Sequence, residues 1–204
     1  MDLAAINRDF GHRPLKLTEW ACAQHANAIC TTNFGPFEAV ILHMVTRVRP
    51  DLRIVWMDSG YATPATYRFA DELVTRLKLN LSVYLPRRSR AHREALDGPA
   101  PLINDPRHAE FTREVKLEPF ERAMREVAPQ VWFTAVRAEQ TAVRAAMQPV
   151  SINRDGLIKV APVLHWTTRD MHEYLQLNDL PNNLDYFDPT KVEAHRECGL
   201  HLAH

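Results

Sequence analysis

The chain has 204 residues, 46% of them hydrophobic and 25% charged, the proportions of an ordinary globular domain, so a largely disordered chain is excluded and one domain accounts for the length. Its 25 Lys and Arg balance its 25 Asp and Glu, which argues against a general nucleic-acid binder, because that role needs a basic excess. Three cysteines, Cys22, Cys30 and Cys198, are too few for a disulfide framework and too few for the four thiolates of an ordinary iron–sulfur cluster.

Asp2, Arg8, Asp9, Arg13, Lys16 and Glu19 interrupt any apolar signal core near the start. No apolar stretch reaches the ~18 residues of a spanning helix. The cytoplasm is the expected compartment.

In chain order, residues 26–30 predict a short buried strand. Thr31-Thr32-Asn33-Phe34-Gly35 follows as a hydroxyl-rich loop, and Pro36 is expected at the first position of a helix with Glu38 in its first turn. Phe37, Val40, Ile41, Met44, Val45 and Val48 recur at helical spacing. Residues 52–57 predict a strand ending at Asp58-Ser59-Gly60, residues 64–77 a helix and residues 79–85 another strand. Residues 86–107, rich in proline, read as irregular. Beyond them come a helix over 119–127, a strand over 131–134 and a hairpin over 150–160 that turns at Asn153-Arg154-Asp155-Gly156. Thr167 and Asp170 predict the cap of a helix reaching Leu177. The alternation of strands and helices predicts an α/β fold with an open, mostly parallel twisted sheet and flanking helices. Residues 1–180 are expected to form the α/β domain. Residues 181–204 are expected to be a tail rather than a packed element.

Four places carry candidate chemistry. The loop from Thr31 to Gly35 is either an anion site at a helix N-terminus or an ordinary cap; no Walker or Gly-x-Gly-x-x-Gly pattern is present. Asp58 with Gly60 stands at a strand's carboxyl end, where an Asp accepts from a ribose or an adenine amino group, or closes a turn. Arg137, Gln140 and Arg144 follow a strand and suit phosphate, as does Lys116, or else form solvated helix starts. In the tail, Cys198 lies between Arg196 and His201, which would lower its pKa, with Gly199 permitting close approach to a ligand; it is either a nucleophile carried into a cleft or an exposed thiol without a role. Cys22 and Cys30 sit among small and apolar residues and read as packing. A zinc site of His195, Cys198, His201 and His204 is disfavoured, because spacing by three throughout is not a finger pattern and Gly199 interrupts a helix. The basic run Arg87, Arg88, Arg90, His92 and Arg93 reads as a solvated loop in preference to a phosphate grip or a partner-docking site.

Together these segments resemble the phosphoadenosine-phosphosulfate (PAPS) reductase family. Glu197-Cys198-Gly199-Leu200-His201 matches that family's C-terminal signature letter for letter. Thr31 to Gly35 resembles its phosphate loop, and Asp58-Ser59-Gly60-Tyr61 with Pro64-x-x-Tyr67 its Asp-Thr-Gly-Tyr segment. Lys116-Leu117-Glu118-Pro119 and the run from Trp132 to Thr141 follow in the same order. The resemblance implies an adenine nucleotide alpha hydrolase-like fold. It also implies thioredoxin-dependent reduction of PAPS to sulfite through an S-sulfocysteine on Cys198, with His201 as a further catalytic group. Thr31, Thr32, Asn33, Phe34, Gly35, Asp58, Gly60, Lys116, Arg137, Gln140 and Arg144 are the implied substrate-binding residues. A homodimer and a thioredoxin or glutaredoxin partner are implied as well.

Family members that reduce adenosine 5′-phosphosulfate (APS) carry a Cys-Cys pair ahead of the Lys. Phe111-Thr112 stands there instead. No iron–sulfur cofactor is therefore expected, and PAPS is the implied substrate. The segment before Glu197 is shorter than usual, and Ala135-Val136-Arg137 replaces Gly-Leu-Arg. The alternatives are cluster-free APS reduction, a non-catalytic nucleotide-binding protein, and an ATP pyrophosphatase-type enzyme, whose Ser-Gly-Gly-x-Asp-Ser loop this chain lacks.

Overall fold

In the computed structural model, which describes residues 1–190, the chain runs through α1 (Leu3–Phe10), α2 (Pro14–Gln24), β1 (Ala28–Thr32), α3 (Glu38–Val48), β2 (Arg53–Met57), α4 (Pro64–Leu77) and β3 (Asn80–Tyr84). It continues through α5 (Arg90–Asp97), α6 (His108–Thr112), a π-helical turn (Arg113–Leu117), α7 (Glu118–Val127) and β4 (Val131–Phe133). A 3-10 turn (Ala138–Gln140), α8 (Ala142–Ala145), β5 (Val150–Ile152), β6 (Ile158–Val160) and α9 (Thr168–Leu177) complete it. The strands form one sheet in the order β3-β2-β1-β4-β6-β5. Every neighbouring pair is parallel except β5 with β6 at the edge. This is the open α/β sheet that the sequence predicts.

Both faces of the sheet are covered, so its central strands are apolar on both sides. Cys30, Ile54, Phe133 and Val160 face a core shared with α2, α3, α4 and α9. Their neighbours Ile29, Val55 and Trp132 point the other way, against Phe120 and Ala123 of α7. The outer backbone of β5 is capped by α1: Asn7 accepts from the Val150 N–H at 2.8 Å and donates to its carbonyl at 3.0 Å. That covers an edge that would otherwise pair freely. Among the described residues no helix is long and apolar enough to cross a membrane.

Several local expectations are corrected. β1 lies two residues later than expected, so Thr31 and Thr32 belong to the strand. α3 begins at Glu38 rather than Pro36, because Phe34 and Phe37 both adopt left-handed φ (50° and 66°) and the chain turns twice before the helix starts. Within the stretch read as irregular, α5 is set by its Ser89 cap, whose hydroxyl accepts from the His92 N–H. The basic run there is not a solvated loop throughout: Arg93 is buried and donates to the Tyr61 hydroxyl at 2.8 Å, and Arg88 pairs with Glu114 and Asp97. The helix expected from residue 119 continues an already helical run from His108. Pro119 has no N–H and would crowd the carbonyl four residues back, and the wider π-helical turn just before it relieves that conflict.

The predicted cap of α9 is present. Thr167 accepts from the Asp170 N–H, and Asp170 returns a bond to the Thr167 N–H at 2.7 Å. Thr167→Ala is expected to lower stability by about 1 kcal/mol, read as a shift in urea midpoint at unchanged slope.

Candidate functional site

The strand order reverses between β1 and β4, so the loops after their carboxyl ends diverge and leave a crevice. Ligands of open α/β sheets bind at such a switch point. The predicted site residues after β1, β2 and β4 therefore share one edge of the sheet.

The loop after β1 is held by its own side chains. The Thr32 hydroxyl accepts from the Phe34 N–H at 3.0 Å and donates to Glu38 Oε2 at 2.9 Å. Asn33 Oδ1 accepts from the Gly35 N–H at 2.8 Å. Gly35 has no room for a Cβ, which would lie 2.9 Å from Asn33 Oδ1 and 3.2 Å from the Tyr186 ring. The Phe34 side chain is fully buried, edge-on to Trp56 at 5.0 Å, so its part in the site is architectural. Thr31 points to the other face, where its hydroxyl accepts from the Trp132 indole at 2.9 Å. Burial pushes the Glu38 carboxyl up to about 7, against the opposing influence of the Thr32 hydrogen bond and Arg144.

After β4 the chain presents two buried arginines. Arg137 donates to Glu139 and to Thr168 and lies over the Phe37 ring at 5.4 Å. The side-chain carbonyl of Gln140 receives both the Arg137 N–H, at 3.0 Å, and the Arg144 guanidinium. Gln140 thus positions the two arginines relative to each other. After β2, Asp58 accepts from the Gly60 N–H at 2.8 Å and the Tyr67 hydroxyl at 2.9 Å. Gly60, at φ 81°, makes the turn that a side chain would strain.

Lys116 lies on the π-helical turn, a rare feature that is frequent at functional sites. Its ammonium pairs with Asp188 and donates to the Thr190 hydroxyl at 3.1 Å. Burial alone would raise the Asp188 carboxyl; the charge of Lys116 and hydrogen bonds from Lys116 and Thr190 outweigh it and hold Asp188 below the usual carboxylate range.

Asp188 belongs to the stretch expected to be a tail. Residues 181–190 instead strap across this edge of the sheet. Asn182 accepts from the Phe37 N–H at 2.8 Å, and Asn183 donates to the Phe34 carbonyl and the Thr66 hydroxyl, both at 2.9 Å. The Asp185 carbonyl accepts from Thr63 at 2.7 Å. The Pro189 carbonyl faces buried His108 Nε2 at 3.1 Å. The strap ties the β1 loop to the start of α4 and to Lys116, and it was invisible to a local reading because its partners lie far away in sequence. Asp188 and Thr190 carry no local signal either, and Glu38 and Trp132, legible as a first-turn residue and as the start of a motif, are not marked by the sequence as partners of Thr32 and Thr31. Cys198, His201, the zinc grouping of His195, Cys198, His201 and His204, and the rest of the expected tail lie outside the described residues.

Of the other thiols, burial pushes Cys22 up to about 11 and Cys30 well above the ordinary thiol value. Both are protonated near neutrality, which suits packing and not nucleophilic chemistry. A surface hollow lined by Asn7, Arg8, His12 and His165 contains none of the predicted site residues. Arginines, a lysine and hydroxyls converging on a sheet's carboxyl edge form an arrangement suited to a polyanionic nucleotide.

Comparison with known proteins agrees with this chemistry. Residues 27–187 match the model of the phosphoadenosine phosphosulfate reductase domain. A phosphoadenosine 5′-phosphosulfate reductase of Synechococcus is 39% identical over 214 residues, spanning 92% of this chain and 91% of that one. Among solved structures, the phosphoadenylyl-sulfate (PAPS) reductase of Candida auris in its phosphate complex superposes with a TM-score of 0.77, 23% identical, over 88% of this chain and 87% of its own. An FMN adenylyltransferase of Candida glabrata shares the fold at a TM-score of 0.57 and 14% identity, over 83% of this chain and 57% of its own. Two different chemistries thus use this adenine nucleotide alpha hydrolase-like architecture, and the fold alone does not choose between them.

Proposed function

Because the chain belongs to the phosphoadenosine phosphosulfate reductase domain family, we propose that it reduces 3′-phosphoadenylyl sulfate to sulfite and adenosine 3′,5′-bisphosphate in sulfate assimilation, with Cys198 as nucleophile. The observation that carries this reading is the near full-length match to a named reductase. The clustering of Thr32, Asp58, Arg137, Gln140 and Arg144 at the switch-point edge supports it.

The Cys198 thiolate attacks the sulfur of the sulfonate. A new S–S bond forms, the S–O bond to the 5′-phosphate breaks, and the nucleotide leaves with the electron pair. A thioredoxin-type dithiol then attacks Cys198 Sγ. Sulfite departs with the S–S electron pair, and the second thiol resolves the mixed disulfide, supplying the two electrons of the reduction. We assign Lys116, Arg137, Arg144 and His201 the task of offsetting charge on the sulfonate and the departing phosphate. The dithiol is the only reductant this scheme requires. A cytoplasmic homodimer accompanies the proposal.

The test supplies PAPS or APS with thioredoxin and its reducing system and measures sulfite. Sulfite from PAPS, with little from APS, is the expected result. Sulfite from APS alone would overturn the substrate assignment, and pyrophosphate release from ATP without sulfite from either nucleotide would overturn the activity.

A further inference from the structure

We propose that Glu38 is the proton-accepting group of the nucleotide site: its carboxylate takes a proton from solvent when the anionic nucleotide binds, and gives it up when the nucleotide leaves. This rests on the reading of the switch-point edge as the sulfonucleotide site.

The argument is one of hydrogen inventory and like charge. Glu38 is the first residue of α3 and holds the only hydrogen of the Thr32 hydroxyl at 2.9 Å, while the Thr32 oxygen is taken up by the Phe34 N–H. While Glu38 is ionised, Thr32 therefore has nothing to donate to a phosphate. Ionised Glu38 also places a negative charge beside the Thr32 hydroxyl, within the field of Arg144. A phosphate entering this loop must share Thr32 and Arg144 with a carboxylate, and two anions confined to one site do not both stay ionised. The phosphosulfate link of the nucleotide stays ionised near neutral pH, and its phosphate monoesters, with a second pKa of about 6, take a proton less readily than Glu38, which burial has already raised to about 7. Once protonated, Glu38 carries a donor of its own, and the Thr32 hydrogen is released to the ligand.

Among the described residues, the groups that bear on Glu38 are Thr32 and Cys30 of β1 and Arg144 of α8. Burial keeps Cys30 a neutral thiol and guanidinium groups stay charged across this range, which leaves the carboxyl as the group able to change. Its ordinary carboxylate value is already displaced to about 7 by burial, so a modest further push by the ligand acts in the physiological range.

Calorimetric titration with adenosine 3′,5′-bisphosphate at pH 8, in two buffers of different ionisation enthalpy, counts the protons taken up. The wild-type protein is expected to take up about half to one proton more than Glu38→Gln, and its affinity to fall by up to about tenfold per pH unit above neutrality, while the variant's profile is flatter by that amount. In the wild-type protein alone, infrared difference spectra on nucleotide binding are expected to gain a protonated-carboxyl band and lose a carboxylate band. Equal proton uptake in the two proteins, or no carboxyl band on binding, would overturn the role of Glu38. Absence of nucleotide binding by the wild-type protein would overturn the site reading itself, and this inference with it.

Discussion

Cys198→Ser is expected to abolish sulfite formation, with a loss of at least about 10³-fold, the scale on which removal of an enzyme's nucleophile acts. The expectation comes from the chain's thiol inventory. Of its three cysteines, Cys30 is buried and locked as a thiol, and Cys22 is half-buried with its thiol pushed up to about 11. Cys198 stands between Arg196 and His201 in sequence, the setting that lowers a thiol pKa. A serine hydroxyl at the same place is far less acidic and far less reactive toward sulfur. Incubation with PAPS without reductant, followed by intact mass measurement, is expected to trap one sulfonate on the wild-type chain, none on Cys198→Ser, and one on Cys22→Ser. A sulfonate retained by Cys198→Ser would remove the thiolate mechanism.

What the sequence revealed and what it hid follow from the range of the forces involved. α4 is punctuated locally: the Thr63 hydroxyl accepts from the Thr66 N–H at 3.1 Å and Pro64 opens the helix, so residues 64–77 were legible to the residue. The hairpin of β5 and β6 turns on Asn153, whose side chain accepts from the N–H groups of Asp155 and Leu157, another local signal. α5 was missed because no apolar period marks it; a cap and the Arg90–Glu94 pair hold it instead. The start of α3 was misplaced because two left-handed residues override the preference of Pro36 for a first turn. In the site, the residue types after β1, β2 and β4 were legible, since their chemistry is carried by short motifs. The strap was not: Asn183 reaches Phe34 across 149 positions and Lys116 reaches Asp188 across 72. Nothing local encodes such a contact.

Lys116→Ala is expected to lower kcat/KM for PAPS by about 10²–10³-fold, the usual consequence of removing one preorganised charge from a site where anionic charge develops. The same change carries a stability cost that must be separated from catalysis. The Lys116 and Asp188 side chains are each only 11% exposed, and removing one partner of a nearly buried pair costs about 3 kcal/mol because the other charge is stranded. The pH dependence distinguishes the two effects. In the wild-type chain Asp188 is held below its ordinary value, so the pair's contribution is fully present above the unfolded carboxylate value and is lost as pH falls through the lower folded one. Without Lys116 the largest remaining influence on Asp188 is burial, which raises it, so the variant's deficit should grow as pH rises from about 3 to 7. Adding Asp188→Asn removes the stranded charge while keeping an acceptor for the Thr190 N–H and hydroxyl, which donate to Asp188 at 2.9 and 2.6 Å. The double variant is therefore expected to regain most of the lost stability and little of the lost activity, with its melting temperature nearly flat between pH 4 and 7 relative to Lys116→Ala. Recovery of activity together with stability would show that Lys116 acts only by anchoring the strap.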